Sequence, residues 1–299
     1  MVVEPHLCSV QCLSARGLHR MAYWEWPASA APAPAAAANT RHAVVCVHGL
    51  TRQGRDFDSL ARHLAPHARV ICPDIVGRGR SDWLSDPMAY AIPSYVADIL
   101  TLLARLDVDT VDWVGTSMGG LIGMALASMK GSPIRRLVLN DVGPRIEPQS
   151  LQRIGSYVGQ GGRWPTLQAA ADAIWAISAG FGPHTPAQWL ALTEPLLRQE
   201  SDGHWVLRYD PAIAQPLRAI TPELAAGGEA LLWMAYDSLR CPTLLLRGEH
   251  SDLLSPETAV AMTQRGPRAR LHTVAGVGHA PTLVDAGQCA VVSEFLLAP

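Results

Sequence analysis

Residues 111–126, VDWVGTSMGGLIGMAL, decide how this chain is read. An apolar run from Val111 to Val114 leads into Gly115, and a glycine-rich apolar run follows Ser117, the pattern of a strand, a sharp turn and a helix. Gly115-Thr116-Ser117-Met118-Gly119 is therefore a G-x-S-x-G sequence in the setting that pattern requires. Such a turn lifts the serine hydroxyl above the sheet in a backbone conformation that bulky neighbours would block. Gly115 and Gly119 relieve that crowding, and Gly120 lets the helix pack closely. The helix N-terminus also points free N–H groups toward any negative charge that develops beside the serine. The plainer alternative is a glycine-rich junction capped by a serine, and it needs none of the partners that follow.

Outward from this turn the chain alternates regularly. AVVCVHG (43–49), RVICPD (69–74), VDWVG (111–115) and RRLVLND (135–141) read as strands, with amphipathic helices DFDSLARHLA (56–65), SYVADILTLLARL (94–106) and MGGLIGMALASM (118–129) between them. Almost wholly apolar strands alternating with helices indicate a parallel sheet covered on both faces. RGLHRMAYWEW (16–26) alternates well enough for an earlier strand, and the proline–alanine segment PASAAPAPAAAA (27–38) that follows reads as a long loop. Residues 145–236 break the rhythm: helices separated by prolines, with Trp164, Trp175, Trp189, Trp205 and Trp233. The alternation returns with CPTLLLRG (241–248), SPETAVAMTQR (255–265), ARLHTVAG (269–276) and a closing helix near 282–297. The expected organisation is a core of residues 1–144 and 237–299 and a helical cap of residues 145–236.

Bulk properties narrow the class. The chain has 299 residues, of which 48% are apolar and 17% charged, enough for a large core and too apolar for disorder. A formal charge of −2 gives no attraction to nucleic acid or to an acidic membrane. The six cysteines are scattered; Cys46, Cys72 and Cys241 sit in or beside apolar runs as small hydrophobes, and Cys8 and Cys12 are too few for a zinc site. No basic start precedes an apolar core at the N-terminus, and no apolar run approaches the ~20 residues of a membrane helix. A cytoplasmic protein is the expectation, and no oligomeric state is legible.

The segments VCVHGLTRQGRDF (45–57), VGTSMGGLIG (114–123), GEHSDLL (248–254) and GVGHAPTL (276–283) resemble the α/β-hydrolase superfamily from about residue 16 to the end. The likeness is greatest to capped bacterial hydrolases of the esterase, lactonase and carbon–carbon hydrolase type. The resemblance implies a mostly parallel eight-stranded sheet with helices on both faces and the cap inserted after the sixth strand. It also implies the order nucleophile, acid, base. Ser117 needs a base to take its proton and a carboxylate to orient that base. His279, just after the final strand, takes the base position. Asp252, after CPTLLLRG, takes the acid position; the alternative acid is Asp141 at the end of RRLVLND, which reads otherwise as a turn cap. The oxyanion donors are expected to be the backbone N–H groups of Leu50 and Met118. His48 and Gly49 support that loop, with His48 a brace rather than a proton carrier. Asp74, Ser81 and Asp82 in CPDIVGRGRSDW are expected to be structural.

These residues imply acyl transfer at a carboxylic ester, with Ser117 attacking, His279 shuttling the proton and no metal or organic cofactor required. The cap's Trp, Leu and Met content favours a small apolar or aromatic ester, with Arg52, Trp164, Trp189 and Trp233 as candidate pocket residues. No nucleic-acid or membrane partner is expected. A lactonase or enol-lactonase keeps the same three residues. Carbon–carbon hydrolases of aromatic degradation usually carry tryptophan after the catalytic histidine, where this chain has Ala280 and Pro281. A hydrolase-fold ligand sensor and an inactive scaffold complete the alternatives.

Overall fold

A computed structural model describes residues 4–28 and 42–298. Eight strands form one sheet: β1 (His6–Ser14), β2 (Gly17–Trp26), β3 (His42–Val47), β4 (Val70–Pro73), β5 (Thr110–Thr116), β6 (Ile134–Asn140), β7 (Thr243–Gly248) and β8 (Arg270–Val274). Their order across the sheet is β1-β2-β4-β3-β5-β6-β7-β8. β2 runs antiparallel to both β1 and β4, and the neighbours from β4 through β8 are parallel. The eight strands that the resemblance implies include β1, whose residues carry no strand signal of their own. Its exposed Leu7 and Leu13 hide the alternation of an edge strand, whose Val10 and Cys12 alone are buried. Most of the proline–alanine loop falls outside the described residues.

The two faces of the sheet sort by sequence parity. Val45, Val47, Trp113, Leu137 and Leu245 enter one core, while Val44, Cys46, Val114, Val138, Leu244 and Leu246 enter the other. Helices α2 (Ile92–Leu106) and α3 (Met118–Ala127) cover the first face; α1 (Asp58–Leu64) and α9 (Ala286–Leu296) cover the second. Burial on both sides explains why these strands read as continuous apolar runs.

Between β6 and β7 lie α4 (Pro148–Tyr157), α5 (Leu167–Ser178), α6 (Pro186–Thr193), α7 (Ala214–Arg218) and α8 (Pro222–Ser238). Three short strands, Arg163–Trp164, Trp205–Leu207 and Leu197–Gln199, pair antiparallel among them with Trp205–Leu207 in the middle. This region has its own small core of Ala170, Ala171, Ile174, Trp189, Leu192, Leu196 and Leu197. Trp189 anchors it, with its indole N–H donating to the Ala171 carbonyl at 2.9 Å and its ring meeting Trp175 edge-on at 4.6 Å. Helix α8 behaves differently. Tyr236 is fully buried in the sheet's first core, with Trp233 against it, and the Tyr236 hydroxyl donates to the Met262 carbonyl at 2.6 Å. By packing, then, α8 joins the sheet layer although most of it lies within the span 145–236. Among the described residues no helix is long and apolar enough to cross a membrane.

Candidate active site

The turn between β5 and α3 places Ser117 at φ 51° and ψ −114°, in the left-handed half of the map where a side chain is strained. The surrounding chain leaves no alternative. A Cβ at Gly119 would collide with the Val47 carbonyl, and one at Gly115 with the Gly119 carbonyl, so both positions hold glycine for contact reasons. The Ser117 N–H donates to the Asn140 carbonyl at 3.0 Å, and its own carbonyl accepts from Gly120 N–H at 2.8 Å. The hydroxyl is thereby held at the head of α3.

His279 Nε2 lies 3.0 Å from Ser117 Oγ, and its Nδ1 lies 2.7 Å from Asp141 Oδ2. A carboxylate can only accept, so Nδ1 carries the proton and Nε2 presents its lone pair to the serine hydroxyl. Asp141 is completely buried. Its Oδ1 accepts from Gly248 N–H at 2.8 Å and its Oδ2 accepts from the Ser251 hydroxyl at 2.6 Å, so two donors besides His279 hold it in place.

This geometry corrects the expected acid. Among the described residues, no hydrogen bond or ion pair joins Asp252 to His279. Its carboxylate receives the Arg153 guanidinium instead, at 2.7 Å and 2.9 Å, and it is 45% exposed. The reason lies in strand pairing. β6 and β7 are neighbours, and the Asp141 N–H donates to the Leu246 carbonyl at 2.9 Å, which puts Asp141 at the carboxyl end of the sheet beneath the histidine. Asp252 comes four residues after β7, beyond a turn in which Ser251 N–H donates to the Gly248 carbonyl, and faces α4. Each aspartate follows an apolar strand upstream of His279, so local sequence offers both as the acid; the pairing of β6 with β7 distinguishes them. Ser251 and Arg153 were not singled out from sequence, since a loop serine and a helix arginine carry no signal of their own.

The loop at His48–Leu50 lies against the nucleophile: a Cβ on Gly49 would sit 3.7 Å from the Ser117 Cβ. The N–H groups of Leu50 and of Met118, the first residue of α3, have no hydrogen-bond partner among the described residues. His48 braces the loop. Its Nδ1–H donates to the Gly49 carbonyl at 2.7 Å, and its Nε2 accepts from Ile75 N–H at 3.0 Å, which fixes a neutral ring. Burial drives its pKa down to about 3. Asp74 is a second buried brace, accepting from Gly54 N–H at 2.7 Å and Arg80 N–H at 2.8 Å, while its carbonyl takes the Ser81 hydroxyl. Burial lifts its carboxyl to about 6.

His48 makes stability sensitive to acid. Its folded pKa lies below the unfolded value of 6.5, so the unfolded chain binds the extra proton, and stability falls as pH drops below 6.5 toward about 3. The loss reaches on the order of 2 kcal/mol at pH 5. Asp74, raised when folded, acts in the opposite sense between 3.8 and about 6. Comparing wild type with His48→Asn cancels that contribution. In urea unfolding the stability gap between the two should narrow by about 2 kcal/mol from pH 7 to pH 5; an unchanged gap would mean that His48 is not held neutral.

A cavity of about 590 Å³ opens over Ser117 and His279. Its walls are mainly apolar, with Ile154, Trp164, Ile174, Ile177, Phe181 and Leu207 from the insertion and Leu50 from the core. Of the expected pocket residues, Arg52 and Trp164 line it. Trp189 is spent in the core of the insertion, and Trp233 packs on Tyr236 and under the Arg265 guanidinium, which lies 4.2 Å from its ring. Arg52 is held by Asp56 at 2.6 Å and 2.9 Å and by the Leu192 carbonyl at 3.2 Å. A second cavity, about 620 Å³, lies beyond this pair: Arg52 faces the first and Asp56 the second. The second is slightly larger, yet it includes none of Ser117, His279 and Asp141, so the chemistry belongs to the first.

The family model of the alpha/beta hydrolase fold matches residues 42–286. This chain belongs to the α/β-hydrolase family. Across 298 residues it is 49% identical to a 3-hydroxybutyrate-oligomer hydrolase of Cupriavidus necator, with 99% of each chain covered. A 2-hydroxy-6-oxo-2,4-heptadienoate hydrolase of Pseudomonas putida is 28% identical over 85% of this chain and 89% of the relative. Among solved structures, an α/β hydrolase from Novosphingobium aromaticivorans superposes with a TM-score of 0.84 at 36% identity, covering 99% of both chains. As a member of the α/β-hydrolase family the chain is a hydrolase.

Proposed function

We propose that this protein is a serine hydrolase of short carboxylic oligoesters, with linear oligomers of 3-hydroxybutyrate as its substrate class. The observation that carries the reading is the hydrogen-bonded chain Ser117–His279–Asp141 at the floor of an apolar cavity. The full-length likeness to an enzyme of that name supports the substrate class. Each repeat of such an oligomer is a four-carbon unit with a methyl branch and one ester, which suits mainly apolar walls.

In this mechanism Ser117 Oγ attacks the ester carbonyl while His279 Nε2 takes its proton. Asp141, held by Gly248 and Ser251, keeps Nδ1 protonated and stabilises the imidazolium. The negative charge on the tetrahedral oxygen is met by the free N–H groups of Leu50 and Met118, which cost little to reorganise because helix and loop already hold them. His279 then protonates the departing hydroxyacid oxygen. Water, deprotonated by the same nitrogen, releases the second acid from Ser117. No step calls on a metal or organic cofactor. The six free thiols, four of them buried, favour a cytoplasmic location.

Chromatography of products from the 3-hydroxybutyrate dimer and trimer tests the reading. The expected outcome is release of monomer with a kcat/KM of about 10⁴ M⁻¹s⁻¹ or more, within the ordinary range for enzymes. Turnover of p-nitrophenyl butyrate without turnover of either oligomer would keep the hydrolase and discard the substrate class. Failure on all three would discard both.

A further inference from the structure

We infer that Arg153 is a specificity-determining residue that receives the free carboxylate of the substrate, with Asp252 occupying its guanidinium until the substrate arrives. The inference rests on the oligoester reading, because such a chain ends in a carboxylate that must be accommodated when its last ester sits at Ser117. Among the described residues two arginines line the cavity, Arg52 and Arg153.

The cost of freeing each arginine separates them. Arg52 and Asp56 are only 11% and 16% exposed, and burial already pushes the Asp56 carboxyl up despite the neighbouring guanidinium. Taking Arg52 away would strand a buried carboxylate, which is strongly unfavourable. Arg52 is also tied to the Leu192 carbonyl. Arg153 and Asp252 are 41% and 45% exposed, and an ion pair so open to water contributes little to stability. When Arg153 turns to another carboxylate, Asp252 is left in solvent at small cost. The Arg153 fork already holds one carboxylate through Nε and Nη2, so a substrate carboxylate can take the same two donors.

The pair also bridges two parts of the molecule. Arg153 is on α4 in the insertion, and Asp252 follows β7 in the core. A purely structural clasp between them and a carboxylate receiver make different predictions. If the pair only clasps the insertion to the core, removing either partner has the same effect on binding. If Arg153 receives substrate and Asp252 competes for it, the two removals act in opposite directions.

The experiment compares the 3-hydroxybutyrate dimer as the free acid with its methyl ester. Binding is measured by calorimetry in a Ser117→Ala background, so that it reports whether or not turnover is fast, and kcat/KM is measured in the active enzyme. Arg153→Gln should weaken the acid relative to the methyl ester about 10- to 100-fold, the range for a lost charge-assisted pair. Asp252→Asn should tighten the acid relative to the ester about 2- to 5-fold, because the competing exposed pair is weak. An acid-to-ester ratio unchanged by Arg153→Gln, or both variants moving the ratio the same way, overturns the subsite while leaving the oligoester reading intact. If wild type and Ser117→Ala engage neither the acid nor its methyl ester, the oligoester reading falls and takes the subsite with it.

Discussion

Asp141→Asn should lower kcat on p-nitrophenyl butyrate about 10⁴-fold, the loss known when a catalytic triad's carboxylate becomes an amide. The amide has the carboxylate's shape but presents an N–H where His279 Nδ1 now donates at 2.7 Å. The imidazole would then turn or change tautomer, and Nε2 would carry a proton toward Ser117 rather than a lone pair. The imidazolium formed in the first step would also lose its counter-charge. Because Asp141 is buried and takes the Gly248 N–H and the Ser251 hydroxyl as well, the variant's fold is checked separately by its unfolding transition. Asp252→Asn should change kcat on this neutral ester by no more than about threefold, since its partner is an exposed arginine. Equal losses in the two variants would return the acid's role to the loop after β7.

Ser117→Ala should lower kcat by about 10⁶-fold and leave a folded protein that still binds ester. The backbone at Ser117 is already left-handed, and alanine suffers no more there than serine does, so the elbow should persist. The double variant Ser117→Ala/Asp141→Asn should be no slower than Ser117→Ala, because the carboxylate works only through a histidine that has a hydroxyl to deprotonate. Any remaining rate above water would come from Leu50 N–H, Met118 N–H and binding alone. Steady-state rates for the four proteins check this. Additive losses would mean that the three side chains do not act as one unit.

The elements that could be read directly are those in which one physical demand dominates. The strands around Ser117 are buried on both faces, so their central residues are almost all apolar, and the glycines around the serine are imposed by backbone contacts. The edge strand β1 escaped because one of its faces meets water and its outward positions include leucines. The tryptophans of 145–236 were harder still. An indole is apolar whether it lines a cavity, as Trp164 does, fills the insertion's own core, as Trp189 does, or sits on α8 against Tyr236 and Arg265, as Trp233 does. Composition cannot separate these fates.

By itself the chain's order of residues determined the parallel sheet, the serine at its strained turn, the histidine after the last strand and the loop carrying Leu50. The sheet and the turn depend on neighbours a few residues away, through continuous apolar burial and glycine clearances, while the histidine and the Leu50 loop were carried by the resemblance to the α/β-hydrolase family. Which carboxylate meets His279 was decided only in three dimensions. Asp141 directly follows β6 whereas Asp252 lies beyond the turn after the adjacent β7, and that placement buries one beneath the imidazole and leaves the other paired with Arg153 and open to water. A hydrogen bond between residues 138 positions apart is a property of that pairing and leaves no mark on local sequence.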